Sequence, residues 1–262
     1  MRRWVIGLCT CLGVIGGGAV RAPAAPPGPQ PVYYIGTRQK AVALTFDVSW
    51  GERMLPLVLK VLRETDQTAT FFLSGPWADT HPEMVRQLIA GGYEIGSHGQ
   101  QHVNLSQYGP ATIAANISAA GAILQGYTGK PLRFFRPPNG DFSPGSIEVA
   151  QGLGYETVLW SVDSRDWMNP GVGEIVSRVA RQVFPGAILL FHASDTCKQT
   201  DLALPTVIAD LRAQGYRLVT LGQLWQMGPA MHGDPRGSRV KPNTGVDPSS
   251  AASVSSSAFA SA

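Results

Sequence analysis

The residues of this chain that could do chemistry together are far apart in sequence but recur at one kind of position. Asp47 closes the apolar run Ala41–Phe46, and His98 and His102 follow the run Tyr93–Gly96. Arg136 follows Leu132–Phe135, Asp163 and Asp166 follow Thr157–Trp160, and His192 closes Ala187–Phe191. His98-Gly-Gln-Gln-His102 sets two imidazoles on one turn of helix or in a tight loop, a spacing suited to a divalent metal. Two surface or capping histidines are the bland alternative. Beside a metal, Asp47 is suited to take a proton from bound water, whose pKa the ion lowers towards ~7; a cap or turn role is the alternative. His192 is either a packed core imidazole or an acid for a leaving group, with Asp166 holding its second ring nitrogen. Arg136, ahead of Pro137-Pro138, can pair with Asp47 or Asp166 for catalysis, or form a purely structural ion pair. A metal pair, a base and an acid together describe metal-assisted hydrolysis of an amide or ester.

These residues need elements that bring them to one mouth. The runs named above, with Ala69–Leu73 and Arg217–Thr220, read as seven strands, and several lack alternation, as strands buried on both faces do. Helical segments fall between them. Pro82 opens one that stops at Gly91-Gly92, and Pro110 opens another along Ile113, Ile117, Ala120 and Leu124. Ser143-Pro144 caps a third, and Gly215 ends the one through Val207, Ile208 and Leu211. The expectation is an α/β fold, an open doubly wound sheet or a (β/α) barrel, with its chemistry at the carboxyl ends of parallel strands.

The 262 residues carry a formal charge of +3. Arg2, Arg3, Arg21, Arg236, Arg239 and Lys241 sit at the chain ends, and between residues 22 and 227 acidic side chains outnumber basic ones by one. Nothing basic remains there to attract a phosphate backbone, so nucleic acid is not an expected partner. Arg2-Arg3, the apolar stretch Trp4–Val20 and the Ala-x-Ala-like end read residues 1–25 as a signal peptide or an uncleaved N-terminal anchor. Both place the rest outside the cytoplasmic membrane, which only that segment would touch. Cys9 and Cys11 lie in the leader, so Cys197 reads as a passive thiol. Residues 26–36 read as a Pro-rich linker, 37–227 as the domain and 228–262 as a disordered Gly/Pro/Ser/Ala-rich tail.

Thr45-Phe46-Asp47, His98-x-x-x-His102, Arg136-Pro137-Pro138-Asn139-Gly140, Asp163-x-x-Asp166-Trp167 and Leu190-Phe191-His192 resemble, in order and spacing, the five motifs of the polysaccharide deacetylases. These are the NodB homology domains of carbohydrate esterase family 4, and the resemblance spans roughly residues 40–226. Thr45-Phe46-Asp47-Val48-Ser49-Trp50-Gly51 looks most like the sporulation-associated bacterial branch. The resemblance implies a distorted (β/α) barrel of about seven parallel strands that removes acetyl groups from cell-wall or chitin-like glycans. It implies Asp47 as base, His98 and His102 as ligands of one divalent metal (usually zinc), and Arg136 positioning the base. Asp166 would tune the acid His192, and the backbone N–H of Asn139 would help bind the oxyanion. Trp50 and Trp167 flank motif residues and can stack on a sugar, whereas Trp160 and Trp225 read as core.

Two positions depart from the family pattern. Most active members carry a second aspartate, a third metal ligand, where this chain has Val48, and an aromatic residue often stands where it has Asn139. The missing anionic ligand leaves a second reading, a metal-poor peptidoglycan-binding module, beside the deacetylase. A third keeps the hydrolase and changes the substrate to a small non-sugar amide.

Overall fold

The computed structural model describes residues 28–237. Its strands are β1 (Tyr34–Ile35), β2 (Ala41–Val48), β3 (Thr70–Leu73), β4 (Glu94–Ser97), β5 (Phe134–Phe135), β6 (Glu156–Thr157), β7 (Val162–Asp163), β8 (Ile188–His192), β9 (Arg217–Val219) and β10 (Ala230–Met231). Between them run α1 (Met54–Glu64), α2 (Gly75–Thr80), α3 (Pro82–Ala90), α4 (Pro110–Thr128), α5 (Pro144–Gly152), α6 (Val172–Gln182), α7 (Thr200–Ala213) and α8 (Leu221–Trp225).

All eight residues of β2 are buried, as the unbroken apolar run requires of a strand covered on both faces. It is the spine of the sheet. β8 pairs along one edge, while β3 and β9 share the other, β3 at the carboxyl end of β2 and β9 at its start. The sheet runs β6-β5-β4-β3-β2-β8-β7 with β9 added beside β2, and every pairing is parallel. This is the distorted barrel expected, curled but not closed between β6 and β7.

The chain ends cover the open seam. Val32 bridges to Val158 and Tyr34 to Ala187, while β1 pairs antiparallel with β10. Residues 32–35 are therefore buried, and both sequence boundaries need correction. The last part of the linker read over 26–36 is core, and the tail read from 228 contributes a strand. Each of these strands has two residues and finds its partner at the opposite end of the chain, so neither leaves a periodic signal. The strand run Leu132–Phe135 also shortens to β5, the run Thr157–Trp160 gives way to β6 one residue earlier, and β7 appears where no strand was read. The leader at 1–25 and everything from residue 238 lie outside the described residues. Among the described residues no helix is long and apolar enough to cross a membrane.

Two helix starts bear on the site. α5 begins in a capping box between Ser143 and Ser146. α1 has no cap of its own. Asp195, on the loop after β8, instead accepts from the backbone N–H groups of Glu52 (3.2 Å), Arg53 (2.9 Å) and Met54 (2.8 Å). The loop that follows Asp47 is thereby tied to the loop that follows His192.

Gly186 stitches the seam. Its N–H donates to the Ala41 carbonyl, its own carbonyl accepts from Ile35, and its φ is +84°. A Cβ there would run into the Ile35 carbonyl as well as straining the backbone. Gly186→Ala is expected to lower stability by about 2–3 kcal/mol in urea unfolding, more than an ordinary surface substitution.

Candidate active site

Parallel register assembles the site. Asp47 on β2 lies directly beside His192 on β8, and Ser97 on β4 lies beside Phe135 on β5. The next residues of those two strands, His98 and Arg136, therefore leave the sheet as neighbours at the same end. His102 follows four positions later, and Asp166 starts a short 3-10 turn just past β7.

Arg136 is fully buried. Its Nη1 donates to Asp47 Oδ1 at 2.8 Å, Nη2 to the Leu159 carbonyl at 3.1 Å, and Nε to the Val158 carbonyl at 3.4 Å. The guanidinium lies 4.1 Å from the centroid of the Phe72 ring, so its face as well as its edges is occupied. Burial raises the Asp47 carboxyl, but Arg136 foremost, then His98 and His192, outweigh it and hold the group below its ordinary value. Asp47 is an anion at neutral pH.

His98 Nδ1 lies 2.9 Å from the Arg136 carbonyl oxygen. A carbonyl only accepts, so Nδ1 carries the proton and Nε2, 3.7 Å from Asp47 Oδ2, keeps its lone pair. Burial pushes the His98 pKa down to about 4 against the pull of Asp47, and lowers that of His102 as well. Both rings are neutral at pH 7, with centroids 5.4 Å apart, and His102 also packs against Trp50 at 4.6 Å.

The acid candidate is built the opposite way. Asp166, also fully buried, accepts from His192 Nδ1 at 2.8 Å, from the His192 backbone N–H at 2.7 Å and from Thr200 Oγ1 at 2.7 Å. Burial pulls the His192 pKa down, but the charge and hydrogen bond of Asp166, with Asp47 and Asp163 further off, raise it overall. Nε2 is the ring nitrogen left to serve the cavity.

Asp47, His98, His102, Asn139 and His192 line one cavity of about 520 Å³, together with Trp50 and Trp167. Those two indoles are 50% and 49% exposed, placing them at the rim. Asn139 adopts φ +59°, and its side-chain amide donates to Asn104 Oδ1 at 2.7 Å. All nine residues singled out as site candidates thus gather here, with Arg136 and Asp166 behind the wall. Trp160, read as core, is buried but also forms cavity wall, with its indole N–H unpartnered.

Sequence reasoning missed the supports. Ser194 Oγ accepts from the N–H groups of Ser49 (3.0 Å) and Trp50 (3.3 Å), and Trp77 Nε1 donates to the Gly51 carbonyl at 2.7 Å. Ser194-Asp195 right after the strand ending in His192 was the available signal, since a hydroxyl and a carboxylate at a strand end commonly bind loop N–H groups.

The two lone-pair imidazoles fit a divalent cation of the zinc class, with water or substrate oxygens completing its shell. Val48 is fully buried in the apolar core and offers no ligand, and Asp47, His98 and His102 do not close into a three-donor cluster among the described residues.

A family profile described as polysaccharide deacetylase matches residues 35–158. A peptidoglycan-N-acetylglucosamine deacetylase of Bacillus cereus is 36% identical over 189 residues, covering 71% of this chain and 88% of that protein. A chitooligosaccharide deacetylase of Sinorhizobium fredii is 35% identical over 198 residues, covering 75% and 88%. Among solved structures, a carbohydrate esterase family 4 pseudoenzyme from Bacillus anthracis superposes with TM-score 0.71 at 32% identity, covering 75% of this chain and 69% of that one. A mutant of that pseudoenzyme is described as having restored enzymatic activity.

The ion pair generates a stability prediction. Arg136→Met strands the Asp47 carboxylate in the wall and is expected to cost about 3–5 kcal/mol in urea unfolding. Adding Asp47→Asn to that background is expected to recover part of the loss, which independent sites would not do.

Proposed function

This chain belongs to the polysaccharide deacetylase family, carbohydrate esterase family 4, and on that premise we propose that it removes N-acetyl groups from a cell-wall or chitin-like glycan outside the cytoplasmic membrane. One observation carries the reading. Two proton-handling groups displaced in opposite directions, Asp47 downward and His192 upward, face one cavity beside a pair of neutral imidazoles.

Asp47, held ionised by Arg136, is placed to accept a proton from the attacking water as its oxygen bonds to the acetyl carbonyl carbon. His192, kept in orientation by Asp166, gives the proton on Nε2 to the amide nitrogen as the C–N bond breaks. Acetate and a free amino sugar result. A divalent cation held by His98 Nε2 and His102, with zinc best matched to imidazole ligands, would supply carbonyl polarisation and a more acidic water. The Asn139 N–H is assigned to the oxyanion, and the Trp50 and Trp167 faces at the rim to the sugar rings.

The specific observation favouring a second reading is Val48, together with a pseudoenzyme among the structural neighbours. In that reading the groove binds peptidoglycan without turning it over. Acetate release from N-acetylglucosamine oligomers and peptidoglycan, by chelator-stripped protein before and after zinc is restored, separates the two. Deacetylation predicts zinc-dependent release that His102→Ala loses and that Asp47→Asn lowers by on the order of 10²–10⁴-fold. Folded, zinc-supplied protein that releases nothing from either substrate would overturn the deacetylase reading and move the balance to the binding module.

The pH profile supplies a separate check. Asp47 must be ionised, but Arg136 holds its carboxyl below the ordinary carboxylate value, so as pH falls protonation of His98 and His102, with loss of the metal, comes first and sets the acid limb of kcat/KM. His192 must be protonated, so the alkaline limb lies above 6.5. Asp166→Asn removes the charge that raises His192, and the alkaline limb is expected to move to lower pH. An unmoved limb would mean that it reports another group.

A further inference from the structure

Cys197 is a titratable group at this cavity that the chemistry above does not use. It is the free thiol among the described residues, buried, on the loop between β8 and α7. It forms part of the cavity lining. Its Sγ, a ring nitrogen of His192 and a carboxylate oxygen of Asp166 all lie within 4.8 Å of one another.

We propose that Asp166, His192 and Cys197 form a second, inhibitory site for a thiophilic divalent cation, cadmium or excess zinc, separate from the His98 and His102 pair. Thiolate, imidazole and carboxylate are the donor types such ions select. Ligand bonds of about 2.0–2.3 Å put the donors of a tetrahedral centre roughly 3.3–3.8 Å apart, so the 2.8 Å pair of His192 Nδ1 and Asp166 Oδ1 opens slightly around the ion while Cys197 Sγ closes on it. Thr200 and the His192 backbone N–H hold Asp166 through Oδ2, leaving Oδ1 to turn from the imidazole proton to the ion. The cavity leaves a fourth position for water.

The proton balance explains why the ion inhibits. Starting from neutral imidazole, the cation takes the place of the proton between His192 Nδ1 and Asp166 Oδ1. That proton passes to Nε2, the thiol proton leaves to solvent, and one proton is released per ion bound. The cation thus displaces the Nδ1 proton that makes His192 an imidazolium, and the Nε2 proton that remains is that of an uncharged ring, a far weaker acid towards the leaving amine. Without such an ion the thiol stays protonated, because burial and then Asp166 push its pKa up to about 12. The site is silent until an ion with high thiolate affinity arrives.

The test is a titration of metal-stripped full-length protein with cadmium chloride, followed by ultraviolet thiolate-to-cadmium charge-transfer absorption. Cys9→Ser and Cys11→Ser are introduced so that Cys197 is the only thiol. The readout is independent of turnover, so it stands whether or not the chain is a deacetylase, and cadmium on His98 and His102 gives no such band. The proposal expects a band that saturates at one ion per chain and persists in His102→Ala. It further expects Cys197→Ser to abolish the band and His192→Gln to weaken cadmium affinity at least tenfold. Absence of a band in the parent, or a band that His192→Gln leaves unchanged, would overturn it.

Discussion

Arg136 has no contact with solvent, and the carboxylate that answers it is Asp47, 89 positions earlier in the chain. A guanidinium is tolerated in such a place only when its donors and its charge are both met. Here two carbonyls and a carboxylate meet the donors, and the Phe72 ring accepts the face. The consequences reach further than the pair. The bond clamps the end of β5 to the end of β2 across two intervening strands, and it keeps Asp47 charged in a wall that would otherwise neutralise it. The Arg136 carbonyl, meanwhile, sets the His98 tautomer. One residue therefore prepares both the proposed base and the first proposed metal ligand, by its side chain and its backbone respectively.

Seen from the cavity, the same device is used twice with the signs reversed. Asp47 is an anion held by a buried cation, and His192 is a potential cation held by a buried anion. Burial alone would push both groups towards their neutral forms. The partners oppose burial in each case, and they push the two pKa values apart, which is the requirement for a base and an acid working at one pH. Asp195 and Ser194 then link the two halves mechanically, because they bind the backbone of the loop carrying Trp50. Asp47, His192 and the rim aromatic Trp50 are in this way referenced to one rigid core, β2 paired with β8.

The gathering of the candidate residues was legible in the sequence because each ends or follows an apolar run, and parallel strands deliver such ends to one mouth. Asp47, His98, Arg136 and His192 needed no further information than that. The seam was not legible. Two-residue strands such as β1, β7 and β10 carry no periodicity, and their stability comes from partners at distant positions rather than from local propensity. The cap on α1 was hidden for the same reason, since Asp195 lies more than a hundred residues away from the N–H groups it serves. Trp160 is core, as its apolar run predicts, but the run could not show that a buried indole is also the wall of a cavity.

Val48 changes the charge at the imidazole pair more than its geometry. His98 and His102 are both neutral, and the single negative charge of Asp47 is already balanced by Arg136. A divalent ion would therefore enter a neighbourhood with no net negative charge, where an aspartate at position 48 would have supplied one. Tighter engagement of Asp47 by the ion would offset the missing charge, but a carboxylate that donates its lone pair to a metal is a weaker base towards water. Metal affinity and base strength thus draw on the same Asp47 oxygen, Oδ2, because Oδ1 is committed to Arg136. On the proposed mechanism, a chain with valine here would hold a metal loosely and keep its base, or hold it tightly at the expense of that base. The fixed Arg136 contact, which leaves Asp47 only one oxygen to share, makes that trade unavoidable.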